Sequence, residues 1–192
     1  MTDDPLALFG EWFREAEDAG VEVPETMTLA TADGDGAPSA RMVLLKGADE
    51  DGFVFYSGYV SRKAGELERN PRAALVFYWR PLGKQVRVEG RVERVSEAES
   101  AAYFATRPRG SQLAAWASQQ SRPLAGREEL DRRYAQLERE YEGREVPLPP
   151  HWGGFRLRPN AIEFWQHRDN RLHDRTRYAR AREGWRPELL SP

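Results

Sequence analysis

Short turns rich in aspartate and glycine constrain this chain more than any other feature. Asp33-Gly34-Asp35-Gly36 separates two segments of strand character, Thr26–Ala32 and Ser39–Lys46. Glycine accepts the positive φ that a tight reversal demands, so the pair reads as an antiparallel hairpin. Asp49-Glu50-Asp51-Gly52 repeats the signal ahead of Phe53–Ser57, and Pro81-Leu82-Gly83 joins the apolar run Ala73–Trp79 to Gln85–Val95. In that last segment Val86 and Val88 alternate with Arg87 and Glu89, the period of a strand with one buried face. Further strands are expected at Gly154–Leu157, at Ala161–Gln166 and near Arg175–Arg180. About seven short strands, mostly in hairpins, predict an antiparallel barrel.

Helices fall between and around these strands. Residues 4–19 form one, with Asp4 as cap, Pro5 in the first turn and a stripe of Leu6, Leu8, Phe9, Trp12 and Phe13. Ser61 opens a short helix that stops at Asn70-Pro71. Others are expected at Glu97–Thr106, Ser111–Ser118 and Gly126–Tyr141, followed by the extended connector Val146-Pro147-Leu148-Pro149-Pro150. The class is mainly β with flanking helices (α+β). No repeat or composition shift divides the chain, so residues 1–192 are expected to form one domain.

Composition narrows the function. The chain has 29 basic and 31 acidic residues and a net charge of -2, which argues against a dedicated nucleic-acid binder. Cysteine is absent, which removes disulfides, thiol catalysis and thiolate metal sites. No apolar run approaches the roughly 18–20 residues of a membrane span. Met1-Thr2-Asp3-Asp4-Pro5 is acidic and has no apolar signal core, so a cytoplasmic protein is expected. His151, His167 and His173 lack metal-ligand spacing, and no nucleophile–base arrangement stands out. GxGxxG, GxxxxGK[ST], HExxH and GxSxG are all missing.

What remains is cationic and aromatic. Arg41-Met42-Val43-Leu44-Leu45-Lys46 places two cations at odd separation, on opposite faces of a regular strand. Arg62 and Lys63 follow the cap Ser61, in the first helical turn where the macrodipole disfavours cations. That is either a tolerated surface pair or a site for a phosphate. Tyr103 and Arg107 share a helix face ahead of Pro108, and Ser111 opens the next helix; a phenol, a guanidinium and a hydroxyl there suit a phosphate monoester or form a solvated corner. Trp116-Ala117-Ser118-Gln119-Gln120-Ser121 supplies neutral donors. Phe164-Trp165-Gln166-His167-Arg168-Asp169-Asn170-Arg171-Leu172-His173-Asp174-Arg175 sets two histidines and three arginines beside an indole, either a basic turn or a loop for a planar anion. Two phosphate-sized cation sets without a nucleophile or metal point to a redox cofactor that carries its own chemistry.

These motifs, in order from Pro5 to Pro192, resemble the pyridoxine/pyridoxamine 5′-phosphate oxidase family. The resemblance rests on Arg41-Met-Val-Leu-Leu-Lys46, Ser61-Arg-Lys63, Gln85-Val-Arg-Val, Tyr103-Phe with Arg107-Pro-Arg-Gly-Ser111-Gln, Ser118-Gln-Gln-Ser121, Pro147-Leu-Pro with Trp152-Gly-Gly-Phe155, and Phe164-Trp-Gln with Arg171-Leu-His-Asp-Arg175. It implies an FMN-binding split β-barrel and a homodimer with two interface flavin sites, each drawing on both chains. It assigns Arg41, Arg62 and Lys63 to the FMN phosphate and ribityl chain, and Met42, Val43, Leu44, Lys46, Tyr56 and Ser57 to the flavin lining. Gln85, Gln120, Ser121, Trp165 and Arg175 match further flavin contacts. Lys46, Tyr103, Arg107 and Ser111 match the substrate-phosphate clamp. Arg171 and His173 match the residues that set the pyridine ring against the flavin, while His167, Arg168 and Asp169 match no role and are expected to be solvated.

The implied reaction oxidises pyridoxamine or pyridoxine 5′-phosphate to pyridoxal 5′-phosphate. Hydride passes from C4′ to flavin N5, oxygen reoxidises the flavin to give hydrogen peroxide, and imine hydrolysis releases ammonia from the amine. Family members usually carry an N-terminal arm with an Arg-x-x-Tyr segment over the substrate; the present sequence starts four residues before Pro5 without one. That departure keeps two alternatives open, a phenazine-biosynthesis type of flavin oxidase and a non-catalytic flavin or pyridoxal-phosphate carrier.

Overall fold

The computed structural model describes residues 4–192; Met1, Thr2 and Asp3, on which the acidic-start reading partly rests, lie outside the described residues. The chain opens with α1 (Pro5–Asp18), where the Asp4 carboxylate accepts the Leu6 N–H and Pro5 fills the first turn. Its buried face plugs the barrel. Phe9 meets Phe53 edge-on at 4.9 Å and Phe77 at 5.1 Å between ring centroids. Such tilted contacts match the ring quadrupoles and add to the burial of large apolar area.

The hairpins form as the turns require. β1 (Thr26–Ala32) pairs with β2 (Pro38–Leu44), and Asp33 caps their turn by accepting the Asp35 and Ala37 N–H groups. A three-residue edge strand, β3 (Gly47–Asp49), precedes β4 (Gly52–Gly58) and α2 (Arg62–Arg69). β5 (Arg72–Trp79) and β6 (Lys84–Arg94) follow, then α3 (Glu97–Thr106), α4 (Arg109–Ala117) and α5 (Arg127–Glu140). β7 (Trp152–Gln166), β8 (Asp174–Arg180) and β9 (Trp185–Leu189) complete the sheet. The strand order is β2-β1-β5-β6-β7-β4-β3, antiparallel throughout, with β8 on β7 and β9 on β8.

β7 is the organising strand and differs from expectation. Gly154–Leu157 and Ala161–Gln166 are one continuous strand of 15 residues. Pro159 lacks an amide hydrogen, which reads locally as a break. The ladder instead slips there: Glu89 pairs with Ala161 and Gly90 with Pro159, so Asn160 is the extra residue of a bulge. Gly90 is required, because a Cβ would run into the Arg158 carbonyl. One edge of β7 pairs with β6 from Phe155 to Gln166, while the other is shared by β4 at residues 152–157 and β8 at residues 161–166. That fork opens the barrel. β9 escaped prediction because it contains Pro187, which an edge strand tolerates. α4 starts at Arg109 rather than Ser111, with Pro108 as its cap residue.

The main core fills the barrel with Phe9, Met27, Leu29, Phe53, Phe55, Leu75, Phe77, Trp79, Val86, Val88, Leu157 and Ile162. A second cluster of Phe104, Leu113, Val146 and Trp152 packs α3 and α4 onto the start of β7. Among the described residues no helix is long and apolar enough to cross a membrane. Phe9→Ala should lower unfolding free energy by about 3–5 kcal/mol in urea titration. Leu189→Ala, at a side chain 75% exposed, should change it by less than about 0.5 kcal/mol.

Candidate active site

Most of the expected cations converge on one cavity of about 650 Å³. β2 alternates, with Ser39, Arg41 and Val43 half-buried and Ala40, Met42 and Leu44 exposed. Arg41 to Leu44 border the cavity, and so does Lys46. Strand parity cannot decide the face of Lys46, because the expected strand Ser39–Lys46 stops short of it. β2 ends at Leu44; the Leu45 N–H then donates to the Glu25 carbonyl and the Lys46 N–H to Val54, so the chain changes partner strand between the two cations. β4 contributes Tyr56 and Ser57, and α2 contributes Arg62 and Lys63.

The start of α2 holds the densest charge. Ser61 caps the helix by accepting the Ala64 N–H. Lys63 is buried and donates to Ser57 Oγ and Gln120 Oε1, both at 3.0 Å. Burial, and then the charge of Arg41, push its ammonium down to about 8, while Glu66 pulls the other way. Glu66, 2% exposed, accepts hydrogen bonds from Thr31 Oγ1, Ser39 Oγ, Arg41 Nη2 and Arg62 Nε. Burial alone would raise its carboxyl; those four donors bring it down to about 2.

Across the cavity stands an aromatic stack. Tyr56 lies 3.9 Å from Tyr103 and 5.4 Å from Trp152 between centroids, with the planes within 16°. Burial pushes Tyr56 up to about 12 and raises Tyr103. Arg107 closes α3 and lays its guanidinium over the Trp152 ring at 4.6 Å. Its Nη1 is buried without a hydrogen-bond partner, and burial lowers its pKa. A buried unpaired donor on a cation is costly unless something absent completes it. Gln120 and Ser121 complete the lining, but Ser111, in the first turn of α4, is not part of it. The expected convergence of Tyr103, Arg107 and Ser111 on this cavity is thus met by the first two alone.

The remaining candidates form a second group. Gln85, Trp165 and Arg175 sit side by side across β6, β7 and β8. The His173 ring lies 4.5 Å from Trp165. Its Nδ1 accepts the Arg168 N–H at 3.1 Å, which leaves Nε2 to carry the proton of the neutral ring. Arg175 donates to the buried Glu163 at 2.8 Å and to the Ser191 carbonyl. Arg171 is exposed. His167, Arg168 and Asp169 are exposed as well, though Arg168 ion-pairs with Asp174 and its amide holds His173. Among non-glycine residues with positive φ are Ser121 (69°) and Arg171 (62°), both expected site residues. Left-handed backbone at such residues is strained and recurs at functional sites.

The two groups lie at opposite ends of β7, with Trp152 in one and Trp165 in the other. Thirteen residue steps of the bent, bulged strand lie between these two indoles. Sequence reasoning missed Trp152, Thr31, Ser39 and Glu66 as parts of the first group. The i,i+4 spacing of Arg62 and Glu66 was a readable signal; the convergence of Arg41 on the same carboxylate was not.

Known proteins resemble the chain over most of its length. A family model described as pyridoxamine 5′-phosphate oxidase matches residues 13–140, and one described as the pyridoxine 5′-phosphate oxidase C-terminal dimerisation region matches residues 152–192. A pyridoxine/pyridoxamine 5′-phosphate oxidase of Rubrobacter xylanophilus is 64% identical over 189 residues, 98% of this chain and 87% of that protein. One from Salinibacter ruber is 54% identical over 195 residues, covering 100% and 91%. Among solved structures, PhzG from Burkholderia lata 383, in complex with tetrahydrophenazine-1-carboxylic acid, superposes with a TM-score of 0.95 at 34% identity, covering 100% of this chain and 94% of that one. A pyridoxamine 5′-phosphate oxidase-related, FMN-binding protein of Nostoc punctiforme gives 0.77 at 17% identity, covering 97% and 96%, and so shares the split-barrel fold.

An anion held at Lys63 should bind in a pH-dependent way. Sulfate, which does not itself titrate near neutrality, should bind more weakly as pH rises through about 8, by up to roughly tenfold per pH unit. Isothermal titration of wild type and Lys63→Arg should show this slope in the first and lose it in the second. For stability the sign is opposite. Folding lowers this group from its ordinary 10.5, so the cost of burying its charge is relieved between about 8 and 10.5.

Proposed function

The chain belongs to the pyridoxamine 5′-phosphate oxidase family, a family of oxidoreductases, and from that premise we propose that it is an FMN-dependent oxidase. In this reading one split-barrel domain oxidises pyridoxamine or pyridoxine 5′-phosphate to pyridoxal 5′-phosphate, with oxygen as acceptor and hydrogen peroxide as the second product. The observation that carries it is the pairing of two cationic, anion-binding sets in one cavity. Arg41, Arg62 and Lys63 surround the start of α2, while Lys46, Tyr103 and Arg107 face them, Arg107 with a buried donor unsatisfied. One ligand with a phosphate leaves the second set unexplained; a phosphorylated cofactor and a phosphorylated substrate use both. The donor set fits FMN.

Arg41, Arg62 and Lys63 would hold the FMN phosphate, with Ser57, Gln120 and Ser121 beside the chain that leads to the ring. Bound FMN supplies the two-electron acceptor that these side chains lack. Lys46, Tyr103 and Arg107 anchor the substrate phosphate, and Ser111 joins them only if the first turn of α4 shifts. Anchoring converts a bimolecular encounter into a fixed geometry, and that is the main catalytic work open to this protein. Gln85, Trp165 and Arg175 would flank the flavin ring. Arg171 and His173 would press on the substrate ring, His173 through its Nε2–H.

The second group does not border the cavity that gathers the first, so in this reading a site that uses both draws them from two copies. Support comes from the outer sheet face, where Met42 (61% exposed), Leu44 (41%) and Tyr78 (56%) stand open. Tyr78 pairs with Gln85, so this apolar surface is continuous with the second group. The dimerisation region, residues 152–192, contains Trp165, Arg171, His173 and Arg175. We therefore place two FMN sites at a homodimer interface.

A second reading, an oxidase of a phenazine precursor, is favoured by the likeness to PhzG. The phosphate sets separate the two. Purified protein with FMN should consume oxygen and release pyridoxal 5′-phosphate and peroxide when given pyridoxine 5′-phosphate. Arg107→Ala should raise KM for that substrate by about ten- to a hundredfold, the worth of a charged hydrogen bond. Turnover on a phosphate-free aromatic that ignores Arg107→Ala would favour the second reading. FMN binding with no oxygen uptake on either substrate would make the protein a carrier.

A further inference from the structure

We infer that Glu66 is a positioning residue for the FMN phosphate: its buried carboxylate holds the Arg41 and Arg62 guanidiniums at a fixed spacing on one wall of the cavity. The inference rests on the FMN reading above and adds a residue to it. Glu66 does not itself border the cavity but bonds directly to three residues that do, Ser39, Arg41 and Arg62. It lies on the second turn of α2 and is 2% exposed. Oε2 accepts Thr31 Oγ1 at 2.5 Å, Ser39 Oγ at 2.7 Å and Arg41 Nη2 at 3.1 Å. Oε1 accepts Arg62 Nε at 2.8 Å.

Three features separate this from a merely structural ion pair. First, both guanidiniums it holds border the cavity, although they come from different elements, β2 and α2. A carboxylate placed for stability alone has no need of two partners that both face one ligand space. Second, Arg62 is held through Nε alone, so its two terminal nitrogens remain for an oxyanion, while the Arg62 side chain is 64% exposed toward solvent. Third, the site contains a buried ammonium as well. Arg41, Arg62 and Lys63 would repel one another in the absence of ligand, and Glu66 removes one unit of that charge where all three meet. Thr31 and Ser39, a directly opposed pair on β1 and β2, fix the carboxylate from the sheet side. The wall is thus pre-formed, and a phosphate meets donors that need no rearrangement.

Two opposing effects decide the sign of a substitution. Removing the carboxylate deletes a negative charge near the phosphate, which by itself tightens binding. It also releases Arg62 Nε and takes one acceptor from Arg41, which keeps Leu29 O, Thr31 Oγ1 and Ser39 Oγ, and the loss of the shared anchor weakens binding. Charge-assisted hydrogen bonds in a buried setting outweigh a screened repulsion at longer range, so weakening should win.

The test compares FMN with riboflavin, which lacks only the phosphate, by quenching of flavin fluorescence in wild type and Glu66→Gln. The expected result is FMN affinity reduced at least about tenfold, with riboflavin affinity unchanged. Unchanged or tighter FMN binding overturns the inference. Equal weakening of both flavins also overturns it, since that is the mark of a structural role. If Glu66→Gln does not fold, Glu66→Asp, which keeps the charge but retracts it by one methylene, must show the same FMN-selective loss; a nonselective effect or none overturns the inference. Wild-type protein that binds neither flavin would bring down the FMN reading itself, and this inference with it.

Discussion

The structure depends on one continuous ladder along β7. From Phe155 to Gln166 it pairs with β6 on one edge, and on the other it pairs with β4 and then β8. Backbone amides inside a sheet must find partners, and no single neighbouring strand runs the full length of that second edge. The bulge at Asn160 lets the strand bend between its two partners without leaving the ladder. The fork of the barrel and the separation of the two groups of candidate side chains both follow from this strand.

Each group is built on the same physical device. Glu66 is 2% exposed and binds Arg41 and Arg62; Glu163 is 5% exposed and binds Arg87 and Arg175. A buried carboxylate between two guanidiniums is a poor source of stability, because desolvation offsets much of the attraction. Its value lies in direction. It turns long, entropically free side chains into fixed donors. The aromatic wall of Tyr56, Tyr103 and Trp152 serves the same end, with flat faces in place of charge. Gly154 permits it, because a Cβ there would press on the Tyr56 ring.

Local signals were legible in the sequence and nonlocal ones were not. The Asp33–Gly36 hairpin, the Asp4 and Ser61 caps and the span of α3 were all readable, since each depends on residues a few positions apart. β7 looked like two strands because Pro159 breaks a pattern that only β6 can repair. The strand was read through to Lys46, where parity no longer applies, because nothing in the residues marks the exit of the chain at Leu44. The cation sets were found in order along the chain. Their division into two separate groups, and the gathering of Thr31, Ser39, Arg41 and Arg62 around Glu66, are properties of strand pairing rather than of spacing.

The length of β7 also has a genetic consequence under the two-copy reading. A lesion at Arg107 and a lesion at His173 strike different ends of the strand. Each alone damages every site of its own homodimer. In a mixed dimer, one site collects both lesions and the other collects neither. Two inactive alleles of such a gene would complement each other, while two alleles damaged at the same end would not.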